Sequence, residues 1–259
     1  MDTLSAGLVQ MASGSDWIEN LSRVRGFVKQ LAGRCDLVVF PENVLCLGKG
    51  NTIKRAAKAI SAICDELGQV AKDHACAIVF GGVPVQEDKK LKNASLVFAA
   101  DGSLIARYDK MHLFQLDPNG ANPVDETRVY VPGNAPVAFD FNGWRIGLSI
   151  CYDLRFPELF RTYVPVDLML CTAAFTAETG RAHWEVLLRA RAIENLCYVA
   201  GVGQCGGNPE TGMQLHGHSM AVAPWGQIVS EADAHDEQFF IVELKKSALS
   251  KARQRLPAL

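Results

Sequence analysis

The chain reads as α/β, with two sheets packed face to face and helices covering their outer faces. Three observations carry that expectation. Short apolar runs of strand length alternate with segments whose apolar residues recur at helical spacing. Asp101-Gly102 and Asn142-Gly143 each separate two apolar runs, as tight hairpin turns do. No linker, low-complexity tract or short repeat interrupts the 259 residues, so a single domain over 1–259 is expected.

LSAGLVQM opens the chain as a first strand. Asp16 and Glu19 then flank a helix start, and Trp17, Leu21, Val24, Val28 and Leu31 follow at helical spacing. DLVVF is the second strand. From Thr52 to Ala71 the pattern predicts one long helix: Ile53, Ala56, Ala57, Ile60, Ile63, Leu67, Val70 and Ala71 share a face, opposite Lys54, Lys58, Asp65 and Glu66. CAIVFGGVPV, ASLVFAA and SLIARYD are strands, the last two joined through Asp101-Gly102 as antiparallel sheet.

Residues 112–135 carry Asp, Asn, Pro and Gly without periodicity, a long loop of the kind that usually serves function. PVAFDF and WRIGLSI form the second hairpin and lead to Cys151, with a turn and a helix after it. DLMLCTAAF is a strand, and AHWEVLLRARAIEN a helix with Trp184, Leu187, Leu188 and Ala192 inward. CYVAGVGQ, HGHSMAVA, GQIVSEA and EQFFIVEL complete a second set of strands.

Composition narrows the function. The chain is 49% hydrophobic and 21% charged with a formal net charge of -2, so no basic excess points to nucleic acid, and small molecules are the expected partners. No stretch reaches the roughly 18 apolar residues of a membrane span, and the N-terminus lacks the basic and apolar regions of a signal peptide, so a cytoplasmic protein is expected. Eight cysteines without a Cys-x-x-Cys pair signal neither a zinc ribbon nor a redox dithiol, and most should be small buried hydrophobes.

Cys151 differs from the other seven. A thiol where a strand gives way to a turn and helix lies at a sheet edge, where backbone N–H groups can bind an anion. A nucleophilic cysteine also needs a base within reach or a cation that favours thiolate. Glu42 follows DLVVF directly, at the strand end where α/β sheets gather active sites. Lys110, again at a strand end and opening the long loop, could stabilise an oxyanion or lower the thiol pKa. Taken singly, each has an ordinary explanation: Glu42 as a helix cap, Lys110 as a solvated charge, Cys151 as core packing.

Together they carry a resemblance. Pro41-Glu42-Asn43, the segment from Tyr108 to Phe114 and the segment from Cys151 to Leu159 resemble, in order and separation, the three signatures of the nitrilase superfamily of carbon–nitrogen hydrolases. The likeness runs from Leu4 to Pro257. It implies a four-layer α-β-β-α sandwich and a Glu42, Lys110, Cys151 triad, with Glu126 as the second active-site glutamate. The implied reaction is amide hydrolysis through a thioester without a cofactor, the backbone N–H of Tyr152 helping Lys110 to hold the oxyanion.

The segment from Thr179 to Gly206 is most similar to the branch containing deaminated glutathione amidase and omega-amidase. That implies an amide bearing an α-keto acid, with deaminated glutathione first and α-ketoglutaramate second, in a homodimer or larger homo-oligomer. Hydrolysis of N-carbamoyl amino acids or nitriles by the same triad is a second reading, and a catalytically silent binding protein a third. Gln115 stands where the family often has aspartate, and Cys171-Thr172-Ala173-Ala174-Phe175 departs from its usual Pro-Ser-Ala-Phe. Both departures fall where substrate preference is set.

Arg155, Arg128 and Arg181 lie in or near segments expected at the pocket, together with Phe175, and a guanidinium can bind a carboxylate bidentately. Surface ion pairing is the alternative for each arginine. His216-x-His218 would put two imidazoles on one face of a strand, but without a third ligand a structural role is expected and no metal. His112 is likewise expected to make a structural hydrogen bond, and Trp184 and Trp225 to be core or interface aromatics.

Overall fold

The central strands are apolar on both faces because each face is covered by a different layer. Leu37 and Val39 point into the core between the sheets, whereas Val38 and Phe40 point into the core beneath the helices. Ala77 and Val79 against Ile78 and Phe80 repeat this division. This computed structural model describes residues 1–117, 119 and 124–259.

The first half of the chain runs β1 (Thr3–Gln10), α1 (Trp17–Leu31), β2 (Leu37–Val39), α2 (Gly50–Ala56), β3 (Lys58–Ala59), α3 (Ile60–Asp73), β4 (Ala77–Glu87), β5 (Lys90–Phe98) and β6 (Leu104–Asp109). A ribbon of β7 (Gln115–Leu116) and β8 (Val124–Asp125) follows. Then come β9 (Ala138–Phe141), β10 (Trp144–Ile150), α4 (Pro157–Thr162), β11 (Leu168–Ala173), α5 (Ala177–Asn195), β12 (Tyr198–Gly203), β13 (Met220–Val222), β14 (Ile228–Glu231), β15 (Gln238–Lys245) and α6 (Lys246–Arg255).

The first sheet has the order β15-β1-β2-β4-β5-β6 with β3 beside β4, and the second β14-β13-β12-β11-β10-β9. β1, β2 and β4 are mutually parallel, as are β10, β11 and β12. Each trio has antiparallel neighbours, among them the two expected hairpins. Val24, Val28 and Leu31 of α1 and Ile63, Leu67 and Val70 of α3 close the outer face of the first sheet. Trp184, Leu188 and Ala192 of α5 pack on the second. Helix, sheet, sheet and helix are thus the four layers. Asp16 caps α1, accepting from the N–H groups of Ile18 and Glu19 at 2.8 and 3.0 Å.

The structure corrects several expectations. The helix foreseen from Thr52 to Ala71 is two helices, because Lys58 and Ala59 are extended and pair with Val85 and Gln86 of β4. Lys58 stays there by bonding Glu66 at 2.7 Å and lying 4.2 Å over the Trp17 ring. β15 belongs to the first sheet: it pairs with β1 from Thr3↔Lys245 to Gln10↔Gln238 and covers that edge. His216 and His218 precede β13, with His218 at φ 51 and bonded to Glu231 at 2.8 Å. Trp225, 40% exposed beneath the Arg255 guanidinium, is outside the core, which leaves the interface half of its core-or-interface expectation. The foreseen loop over 112–135 contains β7, β8 and a 310 turn; residues 118 and 120–123 of it lie outside the described set.

Candidate active site

Glu42 is seated by a defect in the neighbouring strand. After β2 the backbone turns at Asn43 (φ 59), whose N–H donates to the Gly82 carbonyl at 2.9 Å. The β4–β5 register shifts between Phe80 and Val83, a bulge built on Gly81 and Gly82. A Cβ on Gly82, itself at φ 63, would lie 2.5 Å from Glu42 Cγ, and one on Gly81 2.3 Å from Thr172 Cβ. Glycine is therefore required where the Glu42 side chain crosses the strand.

Lys110 meets this carboxylate from the end of β6. Its side chain is fully buried, and Nζ bonds Glu42 Oε1 and Glu126 Oε2, each at 2.8 Å. Asn93 Nδ2 also donates to Glu42 Oε1, at 2.9 Å, and the Ala174 N–H donates to Oε2 at 2.8 Å. Glu126, opening the 310 turn Glu126–Arg128, accepts from the Phe114 N–H at 2.7 Å.

Cys151 directly follows β10 in a left-handed conformation, φ 49, and starts the 310 turn Cys151–Arg155. That conformation costs a residue with a Cβ roughly 1–2 kcal/mol and must be held by its surroundings. Asp153, two residues on and wholly buried, accepts from the Ile150 N–H at 2.9 Å, Tyr108 Oη at 2.7 Å, and the N–H and Nδ1 of His112 at 3.0 and 2.7 Å. The His112 ring stacks on Phe156 at 3.7 Å. The structural role expected for His112 is what the geometry displays.

The charges set the protonation states. Burial would lower the Lys110 pKa, but the Glu126 and Glu42 carboxylates outweigh it and hold the ammonium well above its usual range. Burial raises the Glu126 carboxyl, with Lys110 opposing and Glu42 adding to the shift. The Cys151 thiol is pushed well up, first by burial, then by the negative charge of Glu42, against the pull of Lys110. At neutral pH the sulfur therefore carries its proton, and a nucleophilic role needs a base at the moment of attack. Among the described residues no group of three or more His, Cys, Asp or Glu is arranged to hold a metal ion.

Glu42, Lys110, Glu126 and Cys151 line one cavity of about 530 Å³, with Asn43 and Tyr130 also in its wall. Arg128 reaches the same wall, although its side chain is 72% exposed and near Asp125. Phe175, Tyr152 and Arg155 border a narrow adjoining slot that also touches Cys151. The Arg155 guanidinium lies 5.3 Å over Phe175 and bonds His183 at 3.2 Å, with no carboxylate partner among the described residues. Arg181 does not line this cavity. It borders an outer cleft that shares Val124, Thr176 and Met213 with it. Asn93, Asp153 and the Ala174 N–H were not foreseen; the Gly-Gly pair inside a strand and the aspartate two residues after Cys151 were the available signals.

Comparison with known proteins follows this geometry. A family model described as carbon-nitrogen hydrolase matches residues 5–254. A deaminated glutathione amidase of Synechocystis is 37% identical over 264 residues, covering 98% of this chain and 96% of that protein. The omega-amidase NIT2 of Mus musculus is 34% identical over 267 residues, covering 100% and 95%. The crystal structure of XC1258 from Xanthomonas campestris, a CN-hydrolase superfamily protein with an arsenic adduct in its active site, superposes with a TM-score of 0.88 at 31% identity, covering 100% of this chain and 96% of that one. Agreement in sequence and in fold over nearly the whole length places this chain in the carbon–nitrogen hydrolase family.

Proposed function

We propose that the chain hydrolyses a small amide through a thioester on Cys151, with Glu42 and Lys110 completing the triad. The observation that carries this reading is the buried Lys110 ammonium held at 2.8 Å from both Glu42 and Glu126 in the cavity that Cys151 lines. Glu42 takes the thiol proton as sulfur attacks the amide carbon. Lys110 and the backbone N–H of Tyr152 stabilise the oxyanion, and Glu42 returns the proton to the departing nitrogen. The same carboxylate then draws a proton from the water that cleaves the thioester and passes it to the departing sulfur, restoring the Cys151 thiol. Glu126 keeps Lys110 charged and aimed. This chemistry needs no cofactor.

The preferred substrate is deaminated glutathione, with α-ketoglutaramate second, on the strength of the amidase relatives of both names. Both are keto acids, and the Arg155 fork beside Phe175 suits their carboxylate. Arg155→Met is expected to raise KM by roughly 10- to 100-fold, the loss of one charge-assisted hydrogen-bond pair, with kcat changing less. Equal KM values would remove Arg155 from the carboxylate site. Eight free cysteines support a reducing, cytoplasmic setting. Exposed Val186, Ile193 and Trp225 support a homo-oligomer, to be checked by sedimentation.

The deciding experiment follows ammonia and amine release from deaminated glutathione, α-ketoglutaramate, an N-carbamoyl amino acid and a nitrile, with mass spectrometry of the quenched enzyme. Cysteinylglycine release and an acyl adduct on Cys151 are expected, and Cys151→Ala should abolish both. Undiminished hydrolysis by Cys151→Ala would end the thiol mechanism.

A further inference from the structure

We infer that Asp153 is a positioning residue: a clamp between the two sheets that sets Lys110 against Cys151. The inference rests on the triad proposed above. Glu42, Lys110 and Glu126 are held together by their own ion pairs, but all three come from the first sheet and the loop after it. Cys151 directly follows a strand of the second sheet. Something must fix the distance between the two halves, because a misplacement of about 1 Å between reacting groups costs on the order of 100-fold in rate.

Three ties cross the gap at this point, one of them from Gln204 Nε2 after β12 to the Glu42 carbonyl at 2.9 Å, which holds the Glu42 backbone. Another runs from the Ala174 N–H to Glu42, and places the base. The third, and the one that reaches the segment after Lys110, is Asp153. On its own side it accepts from Ile150 N–H, immediately before the cysteine. Across the gap it accepts from the His112 N–H and Nδ1, and from Tyr108 Oη, which in turn accepts from the Met111 N–H at 3.3 Å. The two peptide N–H groups after Lys110 are thereby tied, directly or through one hydroxyl, to the carboxylate beside Cys151. Phe156, stacked on the His112 ring, closes the same joint.

Four donors converge on this carboxylate, and no lysine or arginine pairs with it among the described residues. Asparagine has the same shape but only one acceptor atom, and it would turn an N–H toward donors on one side. The clamp then opens without leaving a hole. Lys110 stays charged beside its carboxylates, but the segment that carries it is no longer fixed against the Cys151 turn, and Nζ loses its aim at the oxyanion position.

The test compares two reactions of Cys151. Amide hydrolysis needs Lys110 at the oxyanion, whereas alkylation by iodoacetamide needs only the thiol and its base. With deaminated glutathione or α-ketoglutaramate, whichever the wild type turns over faster, Asp153→Asn is expected to lower kcat by at least about 100-fold with KM within about 3-fold. Its alkylation rate should stay within about 5-fold of wild type. His112→Asn, whose amide can replace Nδ1 as donor, should recover most of the turnover that His112→Leu loses, which keeps the test open if Asp153→Asn does not fold.

Parallel loss of hydrolysis, alkylation and thermal stability would reduce Asp153 to a fold determinant, and unchanged kcat in both Asp153→Asn and His112→Leu would overturn the clamp outright. Cys151→Ala runs alongside. If it still hydrolyses amide, the triad reading fails; if it is dead while Asp153→Asn is fully active, only the clamp fails.

Discussion

At the scale of single residues, the Cys151 sulfur is restrained by its own surroundings. Burial and the Glu42 charge hold its proton on, so the carboxylate that opposes thiolate is also the group proposed to remove the proton. Glu42→Gln separates the two effects. Amide turnover should fall by at least about 1000-fold, as expected for loss of an essential general base. The sign for the thiol is opposite: removing a negative neighbour lowers its pKa, so the midpoint of Cys151 alkylation against pH should move down. A midpoint that rises would place Glu42 outside electrostatic reach of the sulfur. Glu126→Gln leaves Lys110 one carboxylate, and a kcat loss of roughly 10- to 100-fold is expected, read by steady-state kinetics. Glu42, Lys110, Glu126 and Cys151 were legible because each lies in a short local motif. Asn93 and Asp153 were not, since their bonds join residues 51 and 41 positions apart.

At the scale of elements, the bulge in β4 does for Glu42 what the left-handed turn does for Cys151: it breaks regular structure to free a side chain. Gly82→Ala tests this. The added Cβ would meet Glu42 Cγ at 2.5 Å and Asn93 Oδ1 at 2.8 Å. Strain at positive φ should cost about 1–2 kcal/mol in urea unfolding. Turnover should fall far more than that destabilisation explains, because the proposed base is displaced; wild-type kcat in a folded Gly82→Ala protein would contradict the role given to the bulge. The divided helix teaches the complementary lesson. Ile53 and Ile63 reach the same core from either side of the break, so apolar periodicity continues across Lys58 and Ala59. Only the pairing with β4 and the Glu66 contact separate one helix from two.

At the scale of the whole molecule, the layered core also sets an alkaline limit. Burial raises the Cys46 and Cys76 thiols to about 11, and Cys171 and Cys205 to about 12, from an ordinary value of 9.0. A raised folded-state pKa stabilises the protonated fold. That contribution is complete below about pH 9 and is lost as pH climbs toward 11–12, because the unfolded chain releases these protons first. Urea unfolding free energy should therefore fall steadily above about pH 9; a flat profile to pH 11 would mean the thiols titrate normally. The sequence by itself determined the longer strands, the paired hairpins, the layer count and the catalytic candidates, since periodicity, turn chemistry and short motifs act over a few residues. Tertiary structure alone decided that β15 closes the first sheet, that Lys110 is shared by two carboxylates and that the Cys151 thiol keeps its proton. Those outcomes depend on desolvation and on distances between segments far apart in the chain, which no local pattern encodes.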